Sequence, residues 1–480
     1  MRLSEILKTV PFAVEHSGGD PDVKGIVSDS RQVRSGYMFA AIAGSLADGG
    51  DFIDDALRRG AVAVVSERSL TAGDCRLTVA DARLAFAHIA AVLNGNPSHQ
   101  LQVAGVTGTN GKTTVAYMIR DVLRSSGSES GLIGTVAYEV GMRTIAASHT
   151  TPDAATVQDL LKQMVGVGCK TAVLEVSSHS LVQERTAAVD FDVAVFTNLT
   201  HEHLDYHKTM AAYYEAKASL FRTLKPSAVA VINADDEWGR RLSAEDLPCR
   251  KISYTVGGSG DVVAEDVTVD AAGCRFTLKT ATGSMPVSLK LLGRHNISNA
   301  LGCIAACGVL GIDAAAAVRV LQKMEPVCGR LEPVAVSKDF SVYVDYAHTG
   351  DALEHALKTV REITAGRVIT VFGCGGDRDR EKRPVMGRAA SALADVVVVT
   401  SDNPRSENPA AIIEEIMAGV DGEQAEVSCI EDRAEAINYA IKSARKDDSV
   451  LIAGKGHETY QECCGRRMHF DDHEVAMGVL

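Results

Sequence analysis

The stretch Gly108-Thr109-Asn110-Gly111-Lys112-Thr113-Thr114 decides the fold. The apolar run Val103–Val106 stands just before it and is short and β-branched enough for a buried strand. Behind it, apolar residues recur between positions 115 and 123 at the spacing of one helix face, and Gly127 is a natural stop. The sequence therefore predicts a strand, a glycine loop and a helix in direct succession.

This succession is typical of a site for a nucleoside triphosphate. The loop N–H groups and the helix N-terminus face the phosphates, Lys112 neutralises charge on the outer phosphates, and Thr113 offers a hydroxyl to Mg²⁺. The strict pattern has a glycine five positions before Gly111, where this chain has Val106. The lysine, the threonine and the strand–helix context favour a triphosphate site over a structural turn.

Composition limits the class of protein. The chain has 480 residues, enough for about three domains of ~150 residues each. Its net charge of −13, with no basic tract, argues against nucleic acid as a partner. No apolar run reaches the ~18 residues of a membrane span and no signal peptide is recognisable, so we expect a cytoplasmic protein without membrane partners. The eleven cysteines include no CxxC pair, which favours reduced thiols over a metal site.

Alternating strand and helix patterns indicate an α/β protein of three domains. We expect a small N-terminal α/β domain at 1–98, a central P-loop-type domain with a parallel sheet at 99–330, and a C-terminal Rossmann-like, doubly wound domain at 331–480. The predicted strands are 23–27, 38–42, 61–65 and 77–79, then 103–106, 171–176, 193–197 and 228–233, then 342–344, 368–372, 396–400 and 450–453. A weaker strand-rich stretch runs from Ile252 to Leu292.

Polar residues follow the central strands where ligands of such sheets bind. Glu175 ends the strand expected beside the glycine loop and is the natural acidic partner for Mg²⁺, with a helix cap as the alternative. His201, His203 and His207 lie close together and suggest zinc, but they lack accompanying thiolates. One histidine beside a Mg²⁺ ion is the more economical interpretation. Lys217, on a predicted helix, reads from composition as a solvated charge.

The C-terminal strands end in carboxylates and arginines. Arg378 and Arg405 are each able to hold a carboxylate in a forked pair, and Asp402 and Glu458 to hold an ammonium group. Together they describe a pocket for a zwitterion; separately each is more often a surface charge.

The order of these motifs resembles that of the Mur ligases, which are ATP-dependent amide-forming enzymes of peptidoglycan precursor synthesis. The resemblance covers nearly the whole chain, and its motifs are Gly108–Thr114, Glu175–His179, Asn198–His207, Tyr214–Lys217, Arg294–Asn299, Gly329–Arg330 and Asp345–His348. In addition, Asp402–Arg405 and Gly454–Glu458 resemble the members that add the third residue of the peptide.

The resemblance implies the reaction and its partners. UDP-N-acetylmuramoyl-L-alanyl-D-glutamate is joined to meso-2,6-diaminopimelate through an acyl phosphate, while ATP becomes ADP and phosphate. Two Mg²⁺ ions are implied as cofactors, and we expect a monomer with small-molecule substrates. Arg405 carries the choice of amino acid, since diaminopimelate has a distal carboxylate that lysine lacks and a buried arginine without an anion is costly.

The resemblance also implies site residues. Gly108–Thr114 bind ATP, and Asn299 and Asp345 contact its base and ribose. Lys112, Glu175, His203 and Lys217 are the implied catalytic residues: Thr113 and Glu175 lie at the first Mg²⁺, and His203 at the second. Lys217 reacts with CO₂ to give N6-carboxylysine, a carbamate that supports the second ion.

The two remaining substrates have implied contacts as well. The UDP-sugar dipeptide is contacted by Ser30, Ser45, Leu46, Ala47, Thr150, Thr151, Ser177, Gln183 and Arg185. Diaminopimelate is contacted by Arg378, Asp402, Asn403, Pro404, Arg405, Gly454 and Glu458. The chain departs from the family pattern at His149, Glu202 and Gly350, and His149 puts one substrate contact in doubt.

Three other functions compete with this one. Folylpolyglutamate synthetase resembles the central and C-terminal domains but does not explain the N-terminal unit. A lysine-adding ligase is disfavoured by Arg405. A nucleotide-gated regulator without turnover is disfavoured because Lys112, Glu175 and Lys217 are all present.

Overall fold

The computed structural model describes residues 1–44, 47–68, 75–270, 272–334, 339–422 and 424–480. Their strands form sheets of five, eleven, six and two strands. In the described part of the chain, no helix has both the length and the apolar character needed to cross a membrane.

The five-stranded sheet lies near the N-terminus and has the order β1-β5-β4-β3-β2. All its neighbours pair in parallel except β1 with β5. Its elements are α1 (Leu3–Leu7), β1 (Glu15–Gly18), β2 (Gly25–Val27), β3 (Tyr37–Ala41), α2 (Ile53–Arg58), β4 (Ala63–Ser66), β5 (Cys75–Thr78) and α3 (Ala82–Leu93). Three 3₁₀-helices at Ser30–Gln32, Gly49–Phe52 and Pro97–Gln100 complete it.

The eleven-stranded sheet has the order β16-β15-β14-β13-β12-β11-β6-β10-β7-β8-β9. Its strands are β6 (Gln102–Thr107), β7 (Ser130–Ile133), β8 (Ala137–Val140), β9 (Arg143–Ala146), β10 (Thr171–Glu175), β11 (Val193–Phe196), β12 (Val229–Asn233), β13 (Arg250–Val256), β14 (Val262–Asp270), β15 (Gly273–Thr280) and β16 (Gly283–Leu289). Its helices are α4 (Lys112–Ser125), α5 (Ala154–Gly166), α6 (Ser178–Val182), α7 (Leu204–His207), α8 (Met210–Arg222), α9 (Glu237–Ala244), α10 (Arg294–Val309) and α11 (Ala314–Leu321).

This sheet is less uniform than its sequence pattern predicts. The strands from β14 to β7 pair in parallel, but both margins are antiparallel: β14-β15-β16 on one side and β7-β8-β9 on the other. Antiparallel neighbours need no crossover helix, so no strand–helix alternation announces the β8–β9 hairpin. One buried core, which includes residues of α4, α10 and α11, and a second, which includes residues of α5 and α8, pack against the sheet.

The six-stranded sheet has the order β17-β18-β22-β19-β20-β21 and is parallel except for β17. Its elements are β17 (Glu332–Pro333), β18 (Ser341–Asp345), α12 (Gly350–Ile363), β19 (Val368–Phe372), α13 (Lys382–Leu393), β20 (Val396–Val399), α14 (Pro409–Met417), β21 (Glu426–Cys429), α15 (Arg433–Ser443) and β22 (Ser449–Ala453). The hairpin β23 (Tyr460–Cys463) and β24 (Arg466–His469) and the last helix, α16 (Asp472–Val479), follow.

The register brings the predicted loops to shared edges. Glu175 pairs with Val106, and Phe196 with Thr107, so β10, β6 and β11 end side by side. In the C-terminal sheet Asp345 pairs with Ala453 at the ends of β18 and β22. The loops that carry polar residues therefore leave each sheet at its carboxyl edge, as expected.

A fully buried ion pair fastens the last helix to the C-terminal sheet. Arg433 donates to both carboxylate oxygens of Asp472, each at 2.7 Å, and both side chains are shielded from solvent. The same guanidinium donates to the carbonyl of Ala453 at 3.0 Å. It therefore ties α15 to α16 and to the end of β22.

We expect Asp472→Ala to destabilise the C-terminal domain by about 3–5 kcal/mol, because Arg433 would stay buried and charged without its partner. Glu354→Ala is the matched control: it removes an exposed pair with Lys358 on α12, with half-exposed side chains, and should change stability by less than ~1 kcal/mol. Urea unfolding followed by circular dichroism measures both. Equal, small shifts for the two variants would contradict the role of the buried pair.

Candidate active site

A cavity of about 690 Å³ lies between the carboxyl edge of the central sheet and the C-terminal domain. Its central-domain wall includes the whole of Thr109–Thr114, the loop after β11 and the start of α10. Its other wall is formed by Arg330–Leu331, Asp345–His348 and one side of α12. This size is that of a small-molecule site.

The glycine loop leads directly from β6 into α4 through two glycines with positive φ. Gly108 has φ +152° and Gly111 has φ +86°, and α4 begins directly at Lys112. A Cβ at Gly108 would lie 1.8 Å from Thr197 Oγ1, so no larger residue fits. Val106 lies inside β6, so this departure from the strict pattern falls in the strand and leaves the loop intact.

Lys112 and Lys217 converge on this loop. Lys112 Nζ donates to the carbonyls of Gly108 (2.9 Å) and Thr109 (2.7 Å). Lys217 Nζ, from α8, donates to the same Gly108 carbonyl at 2.7 Å and lies 4.8 Å from the centre of the Tyr213 ring. Lys217 is 1% exposed, so its interpretation as a solvated charge is wrong. Burial, together with the nearby Lys112 charge, holds the pKa of Lys217 well below its ordinary value.

Glu175 is fully buried and meets the loop from the neighbouring strand. Its carboxylate accepts from Thr113 Oγ1 at 2.9 Å and from both the N–H and the hydroxyl of Thr135, each at 2.9 Å. The helix-cap alternative for Glu175 is wrong, because Ser177 caps α6. Thr113 also accepts a hydrogen bond from Arg330 Nη2 at 3.1 Å.

The histidines after β11 do not share one role. His203 lines the cavity, has φ +56°, and its ring lies 4.7 Å from that of His179. Burial and the Lys112 charge lower the pKa of His203 to about 4. His207 instead contacts Ser178 Oγ at 2.9 Å and stacks on Tyr213, while His201 is exposed. Within the described ranges, no group of three or more His, Cys, Asp or Glu side chains is arranged to hold a metal ion.

Asn299 and Asp345 face the cavity from opposite walls. Asn299 Nδ2 donates to Asn296 Oδ1 at 3.0 Å within α10. The Asp345 carboxylate accepts from the N–H groups of Leu331 (2.6 Å) and Ala347 (2.8 Å), and burial raises its pKa. Both residues therefore lie where a nucleoside in this cavity would be enclosed.

Asp351 connects the two walls. This residue of α12 accepts from Asn110 Nδ2 at 2.9 Å and from Thr200 Oγ1 at 2.6 Å, both with the same oxygen. Asp351 is not among the residues expected at the site from the sequence. No local pattern marks it, since its partners lie 241 and 151 residues away. The contact places α12 directly on the phosphate loop.

The residues implied for the dipeptide form a connected string beside Glu175. Thr151 Oγ1 donates to the Glu175 carbonyl at 2.7 Å and accepts from the Ser177 N–H at 3.2 Å. Arg185 donates to the Thr151 carbonyl and to Gln183 Oε1, both at 2.7 Å. Thr150 lines the cavity, and its hydroxyl lies 3.0 Å from that of Thr135.

The residues implied for the uridine end lie in the N-terminal domain. Ser30 is buried and donates to Asp55 at 2.8 Å. Ala47 is exposed, and its carbonyl accepts from the Gly44 N–H at 2.9 Å. Ser45 and Leu46 lie outside the described residues.

The residues implied for diaminopimelate, called the acceptor cluster below, lie mainly in the loops after β20 and β22. Asn403 Nδ2 donates to Glu458 at 2.8 Å, and a Cβ on Gly454 would lie 2.9 Å from Asp402 Oδ2, so these loops touch. Arg405 has φ +52° and donates to the Gly376 carbonyl at 2.6 Å. Burial and the Asp402 charge raise the pKa of Glu458.

Three further residues complete this cluster. Arg378 is exposed on the loop after β19, and Pro404 is buried. Lys455, not singled out by the sequence analysis, is fully buried and donates to Asn403 Oδ1 (3.2 Å) and Glu458 (3.3 Å). In the sequence, only the position of Lys455 inside the motif Gly454–Glu458 indicates that it belongs to this cluster.

The three residues that depart from the family pattern, Glu202, Gly350 and His149, lie in different surroundings. Glu202 lines the cavity. Gly350 is the first residue of α12, a position where the proline usual in the family is also well tolerated. His149 is exposed, and its carbonyl accepts from Tyr138 Oη at 2.7 Å.

Family models match three segments of the chain: "Mur ligase family, catalytic domain" at 22–95, "Mur ligase middle domain" at 106–307 and "Mur ligase, glutamate ligase domain" at 329–456. Among curated proteins, the UDP-N-acetylmuramoyl-L-alanyl-D-glutamate–2,6-diaminopimelate ligase of Geobacillus thermodenitrificans is 44% identical over 100% of this chain and 99% of its own length. The ligase of the same name from Geobacter metallireducens is 45% identical over 99% and 97%.

Solved structures agree in fold. A ligase of that name superimposes with a TM-score of 0.69 at 35% identity, covering 95% of this chain and 94% of its own. A MurF ligase from Thermotoga maritima in complex with ADP (TM-score 0.63, 20% identity, 95% and 97% coverage) shares the fold. A folylpolyglutamate synthase from Mycobacterium tuberculosis (0.64, 19%) covers only 77% of this chain, and 91% of its own. With relatives this similar over its full length, the chain belongs to the Mur ligase family.

Proposed function

We propose that the chain is an ATP-dependent ligase that adds meso-2,6-diaminopimelate to UDP-N-acetylmuramoyl-L-alanyl-D-glutamate in peptidoglycan precursor synthesis. Relatives that carry the name of this ligase are 39–45% identical over 99–100% of the chain. The observation that carries the proposal is that the residues implied for ATP line one cavity and that one contact leads from this cavity toward each of the other two residue sets. Thr150 joins the dipeptide string to the cavity, and Tyr346, which lines the cavity, lies 4.9 Å from the ring of His457 in the acceptor motif.

The chemistry explains why these sets must meet. A carboxylate is a poor electrophile, so its oxygen first attacks the γ-phosphorus of ATP and gives an acyl phosphate and ADP. The amine of the amino acid then attacks the acyl carbon, and phosphate leaves. Two anions approach each other in the first step, and Lys112 with the N-terminus of α4 offsets their charge.

The residues around Glu175 fit a Mg²⁺ ion. Thr113 and Glu175 supply the hydroxyl and carboxylate oxygens that this hard cation prefers, at hydrogen-bond distance from each other. His203 is kept neutral by its lowered pKa, which leaves a ring nitrogen free to ligate a second ion. Mg²⁺ bound there would neutralise part of the phosphate charge.

Lys217 suits the carbamate that the family resemblance implies. Only a neutral amine attacks CO₂, and burial favours the neutral form of Lys217. Carbamylation would place an anion beside Lys112, which is a better neighbour for that lysine than a second amine.

We expect Lys217→Ala to lower kcat by roughly ten- to a hundredfold, the usual effect of losing a group that supports a metal site. The ¹³C NMR signal of a carbamate, formed from ¹³C-bicarbonate, should appear in the parent protein and not in the variant. Lys208→Ala, an exposed lysine of the preceding loop, is the matched control. A parent protein that is fully active without any carbamate signal would refute this role.

The acceptor cluster suits a diamino dicarboxylic acid. Asp402 and Glu458 present carboxylates to an ammonium group, and Arg405 presents a guanidinium to a carboxylate. A lysine substrate would leave Arg405 without an anion, and this disfavours the lysine-adding alternative.

The decisive assay measures phosphate release with ATP, Mg²⁺ and UDP-N-acetylmuramoyl-L-alanyl-D-glutamate, comparing meso-diaminopimelate, L-lysine and no amino acid. We expect release with diaminopimelate alone. Arg405→Lys keeps the charge but loses the planar fork, and should lower kcat/KM for diaminopimelate at least about tenfold. Arg388→Lys, exposed on α13, should leave kcat/KM unchanged.

Other outcomes of this assay separate the alternatives. Release with lysine would keep the family but make the Arg405 argument wrong. Release with neither amino acid would favour a different substrate or a nucleotide-binding regulator. The cytoplasmic location and the monomeric state stay predictions.

Asp351 joins α12 of the C-terminal domain directly to the phosphate loop. This contact helps to close the site over an acyl phosphate, which has to be shielded from water because water would hydrolyse it. We expect Asp351→Ala to weaken binding of a nonhydrolysable ATP analogue roughly tenfold, since two hydrogen bonds to a charged acceptor are lost. Calorimetric titration measures the Kd. Glu362→Ala, exposed on the same helix, is the control; equal Kd values for both variants would show that the contact does not support the site.

A further inference from the structure

Two adjacent cysteines stand at the turn of the hairpin that follows the acceptor cluster. Cys463 is the last residue of β23, and Cys464 and Gly465 form the turn into β24. The two sulfurs lie 3.9 Å apart, with the Cys463 thiol donating to Cys464 Sγ. Cys464 is exposed and Cys463 is half-buried. The pair is therefore close together and accessible from solvent.

A second thiol pair provides an internal contrast. Cys303 and Cys307, one turn apart on α10, have their sulfurs 3.8 Å apart, but both residues are fully buried. The sulfur–sulfur distances in the two pairs are nearly equal, but only the hairpin pair is accessible from solvent. A water-soluble oxidant therefore reaches the hairpin pair first.

The turn itself does not require cysteine. Cys464 has φ +49° and Gly465 has φ +74°, so both central residues are left-handed, as in a type I′ hairpin turn. Asn, Asp and Gly are the residues that favour this conformation. The backbone thus gives no reason for a thiol at position 464.

The cysteine pair is joined by its backbone to Arg405. The Cys464 N–H donates to the Arg405 carbonyl at 2.6 Å, and the Arg405 N–H donates to the Glu462 carbonyl at 3.0 Å. Arg405 has φ +52°, a conformation that a non-glycine residue keeps only when its surroundings fix it. The peptide group between Cys463 and Cys464 is one of the groups that fix it.

We propose that Cys463 and Cys464 form a thiol-modification site, at which a hydroperoxide closes a vicinal disulfide and thereby releases the Arg405 loop. The effect on diaminopimelate binding rests on the proposed function; the thiol chemistry and the loop release do not.

The oxidation balances with hydrogen peroxide as the two-electron oxidant. The Cys464 sulfur attacks a peroxide oxygen, an S–O bond forms as the O–O bond breaks, and the leaving hydroxide takes the thiol proton as water. The Cys463 sulfur then attacks the sulfenic sulfur, the S–S bond forms as the S–O bond breaks, and a second water leaves. Two thiols are oxidised and one peroxide is reduced.

Ring closure acts on the contact that holds Arg405. The sulfurs must approach from 3.9 Å to about 2.05 Å, and the resulting eight-membered ring includes the peptide group between the two cysteines. That peptide carries the N–H donated to Arg405. Closing the ring reorients this N–H and removes one support of the strained backbone.

The first test measures the modification and the loop without using activity. The full-length protein is treated with hydrogen peroxide, and peptide mass mapping should show a 463–464 disulfide (a loss of about 2 Da) that dithiothreitol reverses. Hydrogen exchange of residues 402–406 should become faster in the oxidised protein. Cys464→Ser should abolish both effects, whereas Cys429→Ser, which removes an exposed thiol on β21, should abolish neither. Absence of the disulfide, or unchanged exchange once it has formed, overturns the proposal.

The second test measures the consequence for the reaction. We expect oxidation to raise the KM for diaminopimelate at least about tenfold, since loss of an Arg–carboxylate contact acts on that substrate, and to leave the KM for ATP unchanged. Cys464→Ser should keep the KM of the reduced enzyme after peroxide treatment. A KM for diaminopimelate that does not rise overturns the coupling. A reduced enzyme that does not use diaminopimelate refutes the proposed function, and the first test then still decides the thiol site.

Discussion

Two lysines from different helices, the half-buried Lys112 and the buried Lys217, donate to one carbonyl oxygen, that of Gly108, and the site depends on this convergence. Lys112 arrives from α4 and Lys217 from α8, so the contact fixes both helices against the end of β6. Burial lowers the pKa of both amines, and the Glu202 charge acts on each of them in the opposite sense. An anionic ligand at this loop would favour the charged form of Lys112, and the helix N-terminus at the same place adds to the attraction. Gly108 has no space for a side chain because Thr197 occupies it.

The parallel sheets explain how the polar loops of two sheets are brought to one cavity. In each sheet the loops leave from the carboxyl edge, and the two larger sheets turn these edges toward a common cavity. Arg330 reaches from the connecting segment to Thr113, and Asp351 reaches from α12 to the phosphate loop. The cavity is therefore lined from both sides, so a change in the relative position of the two sheets alters the Arg330–Thr113 and Asp351–Asn110 contacts together.

The spacing of apolar residues along the sequence predicted the strands and helices that are set by neighbouring residues. The central strands β6, β10, β11 and β12 were predicted within about two residues, as was the meeting of the ends of β6, β10 and β11, whereas β7 was not predicted. The β8–β9 and β23–β24 hairpins were missed because antiparallel neighbours leave no crossover helix. Asp351 and the burial of Lys217 were missed because both depend on partners more than 100 residues away. The role of Lys217 came from resemblance to the family, since residue type alone left it as a solvated charge, whereas the roles expected of Lys112, Thr113 and Glu175 followed from the loop and the strand ends.

The acceptor cluster has negative charge from Asp402 and Glu458, whereas the phosphate loop has positive charge from Lys112. Asp402 and Glu458 lie close enough that each charge opposes the other, and the pKa of Glu458 is raised as a result of this and of its burial. Lys455 offsets only part of that repulsion, from 3.3 Å. A cationic group placed beside these carboxylates would offset more of the repulsion, in line with the amine of the substrate in the proposed function. The acceptor cluster therefore concentrates negative charge, whereas the glycine loop carries the positive charge of Lys112.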